Sequence, residues 1–152
     1  MLLMCATSSA QMKWNQSYQT YINQYKDLAI EQMLRYRIPA SITLAQGLFE
    51  SRAGQSDLAR QGNNHFGIKC HNWTGPTQYH DDDAHGECFR VYQDAKESYE
   101  DHSRFLAKQP RYSRLFSLNT TDYKGWAYGL KSCGYATNPQ YANKLIQIIE
   151  LY

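Results

Sequence analysis

Apolar residues recur along this chain at two spacings, and the change of spacing divides it. Residues 17–36 carry Tyr18, Tyr21, Ile22, Tyr25, Leu28, Ala29 and Leu34. That is close to the i, i+3, i+4, i+7 stripe of an amphipathic helix. A second helix is expected at about 39–51, with Ile42, Ala45, Leu48 and Phe49 on one face. Pro39 is tolerated in a first helical turn, where its missing N–H is no loss. Gly54 follows the end of that helix, a common place for glycine. Residues 56–60 support a short helix at most. Between 66 and 92 the texture changes. "FGIKC", "TQYH" and "CFRVY" are short alternating or β-rich runs, and "NWTGP" and "DDDAHGE" separate them with turn residues. A small antiparallel sheet of two or three strands is expected there.

Helical spacing returns at Asp94. Asp94 is placed to cap a helix, with Glu97 three residues later as in a capping box. Tyr99, Phe105 and Leu106 then face inward. Residues 121–131 form another helix. Asn138-Pro139 reads as an N-cap followed by proline at the first helical position, opening a last helix with Tyr141, Leu145, Ile146 and Ile149 inward. The order predicts an α+β fold, mainly α: a helical lobe plus a small antiparallel β-lobe, with a cleft between them.

With 152 residues the chain is one domain on length alone. Its boundaries are set at 11–152, because residues 1–10, "MLLMCATSSA", have an apolar run followed by small residues ending at Ala10. That pattern fits the end of a truncated signal peptide. The expected location is therefore exported: periplasm, cell envelope or secreted. No other stretch approaches the roughly 18–20 apolar residues a transmembrane helix needs. The net charge is only +2, from 16 basic and 14 acidic residues, which argues against nucleic acid as a partner on bulk charge. A monomer is expected. Export also permits disulfides. Cys70 and Cys88 bracket a short polar segment and are the natural pair. Closing such a loop contributes on the order of 3 kcal/mol. Cys133 is left over, and Cys5 leaves with the leader.

Glu50 ends an otherwise apolar helix, where the helix dipole disfavours a carboxylate by about 0.3–1 kcal/mol. Beside Leu48 and Phe49 it is partly desolvated, which raises a carboxyl pKa toward the range of a general acid. The competing reading is a surface glutamate paired with Arg52. Asp81, Asp82 and Asp83 form a second acidic group at a turn; one of them, opposite Glu50, would complete a glycosidase pair. The same acids also read as a solvated turn, or as Ca²⁺ ligands, though without EF-hand spacing. His65, Cys70, His71, His80, His85 and Cys88 raise the question of zinc, but their spacing fits no usual site. Neither a metal nor another cofactor is expected. Cys133 with His102 or His65 offers a Cys–His hydrolase as the alternative enzyme class.

Four motifs then stand in order: "PASITLAQGLFESRAGQSDLA" with "GNNHFGIKC", "FRVYQDAKESYEDHSRFL" and "GYATNPQYANKLIQIIELY". Together, over about residues 18–152, they resemble the glucosaminidase domain of glycoside hydrolase family 73, in a form common in Bacteroidetes-type bacteria. The resemblance implies a lysozyme-like fold and hydrolysis of β-1,4 bonds in peptidoglycan, most often after N-acetylglucosamine, in the manner of autolysins. It implies Glu50 as general acid, and a second acid on the β-lobe nearest Asp82, with Asp81 and Asp83 as rivals. It matches Tyr135 to the tyrosine that shapes the sugar site, and Asn138 replaces a frequent Asp. Tyr141 and Trp126 are further candidates for sugar stacking, and Asn64 for substrate binding. The implied partner is the peptidoglycan glycan strand. An N-acetylmuramidase, or a wall-binding protein without activity, are the alternatives on the same fold.

Overall fold

In the computed structural model, which describes residues 12–80 and 86–152, helices flank one small sheet. The order is α1 (Gln16–Tyr36), α2 (Ala40–Ser51), α3 (Asp57–Gly62), β1 (Thr77–His80), β2 (Glu87–Arg90), α4 (Ala95–Lys108), a 3₁₀ helix (Pro110–Ser117), α5 (Tyr123–Ser132) and α6 (Tyr141–Leu151). The expected leader 1–10 with Cys5, the acids Asp81, Asp82 and Asp83, and His85 lie outside the described residues. No helix among the described residues is long and apolar enough to cross a membrane.

α1 begins where Asn15 accepts a hydrogen bond from the Ser17 N–H at 2.9 Å. It buries Tyr21, Ala29 and Gln32. Leu34, expected inward, is 76% exposed. It lies thirteen residues beyond Tyr21, so about 220° around the axis at roughly 100° per residue, on the far side. α2 is the central helix and packs on α1, α5 and α6. Pro39 is its N-cap, one position ahead of the first turn. A Cβ on Gly47 would lie 2.7 Å from the Tyr21 hydroxyl and 3.0 Å from that of Tyr99. The absent side chain is what lets the two tyrosines cross α2 this closely.

The antiparallel pair β1–β2 runs in the register Thr77↔Arg90 to His80↔Glu87. The third expected strand is reduced to a single bridge, Lys69↔Phe89. Gly67 (φ 65°) and His71 (φ 44°) are left-handed on either side of it, so the extended run cannot lengthen. Cys70 and Cys88 are joined, with Cα atoms 5.4 Å apart. The β-lobe is fastened to α4 by Arg90, whose guanidinium lies 3.0 Å from Asp101, and by the Tyr92 hydroxyl, which donates to the same carboxylate at 2.5 Å.

α4 opens as expected: the Glu97 N–H donates to Asp94 at 2.8 Å, and Glu97 in turn accepts from the Gln93 N–H. The 3₁₀ helix was not foreseen; Tyr112 and Leu115, three apart as such a turn requires, are its buried residues. α6 starts at Tyr141, later than Asn138 would have it. Asn138 instead closes a turn before the helix, accepting from the Gln140 N–H at 2.9 Å. One core cluster gathers Ile38, Ile42, Leu48, Trp126, Leu130, Leu145 and Ile148; a second holds Ala29, Phe66, Ile68 and Tyr99.

Candidate active site

Glu50 sits one residue before the end of α2. The chain leaves through three successive left-handed residues, Arg52 (φ 50°), Ala53 (φ 56°) and Gly54 (φ 79°). For Arg52 and Ala53 that conformation costs about 1 kcal/mol or more each. It is held by Ala53 N–H to Leu48 C=O at 2.8 Å and Ser56 N–H to Ser51 C=O at 2.9 Å. The Ser51 hydroxyl adds a bond to the Gly47 carbonyl and accepts from the Gly54 N–H. The helix end is thus fixed from several sides, and Glu50 with it.

The facing wall is the loop after α3. Asn64, buried, pins that loop: it accepts from the Ile68 N–H at 3.1 Å and donates to the Ile68 and Arg90 carbonyls at 3.0 and 2.9 Å. The loop brings Gly67 past the carboxylate, where a Cβ would lie 3.9 Å from Glu50 Oε2. Between these walls lies a cleft of about 260 Å³, lined among others by Glu50, Gly67, Lys69, His71, Arg111 and Tyr135.

Burial pushes the Glu50 carboxyl up to about 7, partly offset by the Tyr141 hydroxyl that faces it. Among the described residues Glu50 makes no ion pair, and Arg52 is exposed. The surface-pair reading is therefore set aside. A larger groove of about 410 Å³ near the start of α4 also holds carboxylates, including Glu100. Burial works against the charge of Glu100. Hydrogen bonds from Tyr36 and Gln32 and the nearby Arg35 outweigh that and hold it low. A group held ionised is poorly suited to deliver a proton.

Of the sequence-predicted site residues, Tyr135 lines the cleft, its ring stacked on Tyr141 with centroids 5.8 Å apart. Tyr141, the first residue of α6, is buried behind it and accepts a hydrogen bond from Gln46 at 3.0 Å. Trp126 is wholly buried, edge-on to Phe116, and belongs to the core rather than the cleft. Asn64 shapes the loop from beneath and offers its side chain to backbone groups. Cys133 accepts from Arg114 at 3.2 Å, while His102 and His65 are bonded to Gln46 and Tyr21, so no Cys–His pair forms. The Cys70–Cys88 bond removes both thiols as ligands. Asp81, Asp82 and Asp83 lie outside the described residues, so the second carboxylate is not located.

Sequence spacing missed Lys69, His71 and Arg111 as cleft residues, and Gln46 and His102 beneath it. Gly67 within "HFGIKC" was the available signal for the first two. Arg111 directly after Pro110 had none.

Three comparisons bear on these residues. The glucosaminidase family model, described as mannosyl-glycoprotein endo-beta-N-acetylglucosaminidase, matches residues 26–152. Over 129 residues the chain is 35% identical to the exo-glucosaminidase LytG of Bacillus subtilis (strain 168), covering 78% of this chain and 45% of that protein. It thus spans under half of that relative's length. Among solved structures it resembles a peptidoglycan hydrolase from Sphingomonas sp. A1, with TM-score 0.76, 28% identity and 86% of each chain covered. It also resembles the catalytic domain of the autolysin Auto from Listeria monocytogenes, with TM-score 0.75, 30% identity, and coverage of 94% of this chain and 88% of that one. The fold is that of these lysozyme-like hydrolases, and the chain belongs to the glucosaminidase family.

Proposed function

We propose that this domain hydrolyses β-1,4 glycosidic bonds in bacterial peptidoglycan as an endo-β-N-acetylglucosaminidase, with Glu50 as general acid. The observation that carries the reading is a desolvated carboxyl, pushed up to about 7, aimed across a cleft at a bare glycine backbone. At neutral pH a large share of such a group keeps its proton, as an acid catalyst must. Glu50 gives that proton to the glycosidic oxygen as the bond from that oxygen to C1 breaks and positive charge builds on the ring. Asp82, with Asp81 and Asp83 as rivals, is the proposed second carboxylate. It takes a proton from the water whose oxygen bonds to C1, or it steadies attack by the substrate's own N-acetyl oxygen. Tyr135 offers a ring face in the cleft for a sugar. Relatives named as peptidoglycan hydrolase and exo-glucosaminidase support the substrate class. Peptidoglycan lies outside the cell membrane, so an exported or envelope location follows from the same reading.

The test is wild type against Glu50→Gln on purified sacculi. Wild type is expected to release reducing ends and Glu50→Gln to lose that activity by several orders of magnitude; equal release sinks the assignment. Mass spectrometry of the wild-type products reads the bond: N-acetylglucosamine is expected at the new reducing ends, and N-acetylmuramic acid there would make the domain a muramidase.

A further inference from the structure

Behind Glu50 a line of buried polar groups crosses three helices. His102 of α4 and Gln46 of α2 are 0% exposed, and Tyr141 of α6 is 1% exposed. His102 Nε2 lies 2.9 Å from Gln46 Oε1, and Gln46 Nε2 lies 3.0 Å from the Tyr141 hydroxyl. The same hydroxyl is the hydrogen-bonding group that offsets part of the effect of burial on the Glu50 carboxyl.

With the Gln46 amide oxygen turned toward the His102 ring, the chemistry of each group gives the direction of each bond. An amide oxygen only accepts, so the proton of the His102 ring is on Nε2. The other ring nitrogen, Nδ1, is then bare, and it is the ring atom without a partner. A bare acceptor is tolerated in a core more readily than an orphaned N–H. Burial supports the neutral ring, pushing His102 down to about 3. The Gln46 amide nitrogen only donates, so the Tyr141 oxygen is already used as an acceptor. Its one proton is left to point at Glu50. The Phe66 ring, stacked on His102 at 3.9 Å, fixes the plane of the imidazole.

We propose that Gln46 and His102 are positioning residues, which together hold the Tyr141 hydroxyl so that its proton is given to the Glu50 carboxylate. A donor at that place favours the ionised form. It therefore steadies Glu50 as the acid gives its proton away, and it sets the pH at which Glu50 is recharged. The idea rests on Glu50 being the acid only for its consequence; the arrangement itself is measured without substrate.

The experiment follows the ¹³C resonance of the Glu50 carboxyl through a pH titration of the full chain. The groups facing Glu50 among the described residues are Lys69 and His71 from the loop, Arg111 and Tyr112 from the 3₁₀ helix, and Tyr135 and Tyr141. None of them is itself replaced in His102→Phe, and of these groups the Tyr141 hydroxyl is the one expected to turn. In His102→Phe the amide of Gln46 is released to turn over, its N–H against the ring and its oxygen toward Tyr141, which then donates away from Glu50. The Glu50 midpoint is expected to rise by about one pH unit, the scale of one hydrogen bond to a charged group. Tyr141→Phe should give a rise of the same size, and the double variant no more than Tyr141→Phe alone. His102→Gln, which keeps an N–H for the amide oxygen, should restore the wild-type midpoint.

An unmoved midpoint in His102→Phe, or a further rise in the Tyr141→Phe background, overturns the proposal. Wild type provides a reading that needs no folded variant. The ¹⁵N shifts of His102 must show Nε2–H and a bare Nδ1, and the opposite tautomer would reverse the whole line. Full activity in Glu50→Gln would sink the acid assignment while leaving these titrations standing. An inactive Glu50→Gln with an unmoved midpoint in His102→Phe would sink only the positioning role.

Discussion

Glu50→Gln also changes stability, in a direction that depends on pH. The glutamine keeps the size of the side chain and stays neutral. In wild type the folded-state carboxyl is raised from 4.5 to about 7 by burial. A group raised in the folded state contributes its full stability below the unfolded value and loses it as pH rises through the folded one. The displacement corresponds to about 3 kcal/mol when both transitions are complete. Most of that loss falls between about pH 5 and pH 8, so roughly 2–3 kcal/mol is visible in that window. Residual solvent contact at the cleft makes this an upper figure. The assay is urea denaturation of both proteins at the two ends of the window. Every other titrating group is common to both and cancels in the difference. Glu50→Gln should gain on wild type by about 2 kcal/mol or more at the alkaline end relative to the acid end. A difference independent of pH would mean that Glu50 is not desolvated in the folded state, and the argument for its acidity would fall with it.

Four further outcomes follow. Burial pushes His65 down to about 4 and His102 to about 3. Their stabilising effect is complete above the unfolded value of 6.5 and lost as pH falls toward the folded values, so circular dichroism in the Glu50→Gln background should show acid destabilisation beginning below about 6.5. Gly47→Ala drives a Cβ into the Tyr21 and Tyr99 hydroxyls and should cost about 1–3 kcal/mol in urea denaturation. Cys70→Ser with Cys88→Ser should cost about 3 kcal/mol; because the bridge ties β2 to the loop facing Glu50, KM on sacculi should rise more than kcat falls. Arg111→Ala removes a cation lining the cleft without touching Glu50, and should raise KM several-fold with kcat nearly unchanged.

Spacing along the chain carried the helices well because the longer ones have a buried stripe, and α1, α3, α4 and α5 also have a side-chain N-cap. Asp94 with Glu97, and the apolar face of α2, are legible from neighbours a few residues away. What spacing could not carry was decided by partners far along the chain. Leu34 looks apolar and inward, yet among the described residues no element covers that side of α1. Trp126 and Asn64 are residue types that often touch sugar, but here one fills the core and the other is consumed by the carbonyls of Ile68 and Arg90. Of the two or three strands expected the sheet has two, because left-handed Gly67 and His71 confine a third run to one bridge, and only the glycine of that pair announces itself. Glu50 was legible as an awkward carboxylate at a helix end. Its meaning came from Gly67 and Tyr141, 17 and 91 positions away.

On the proposed role of Glu50 one proton links stability and catalysis, which allows a stringent check on the site. If Glu50 is the acid, activity falls as pH rises through its folded-state value, because the ionised carboxylate has no proton to give. The stability that wild type loses relative to Glu50→Gln falls across a window ending at that same value, since the penalty stops growing once the folded carboxyl has ionised too. The basic limb of kcat/KM reports the free enzyme, the species whose stability is measured. The two curves must therefore meet at one pH. Substitutions that move the Glu50 midpoint, such as Tyr141→Phe, must carry both upward together by a similar interval. A basic limb that stays in place while the stability curve moves would show that some other group limits the reaction. Glu50 would then be a desolvated carboxylate in the cleft without being its acid.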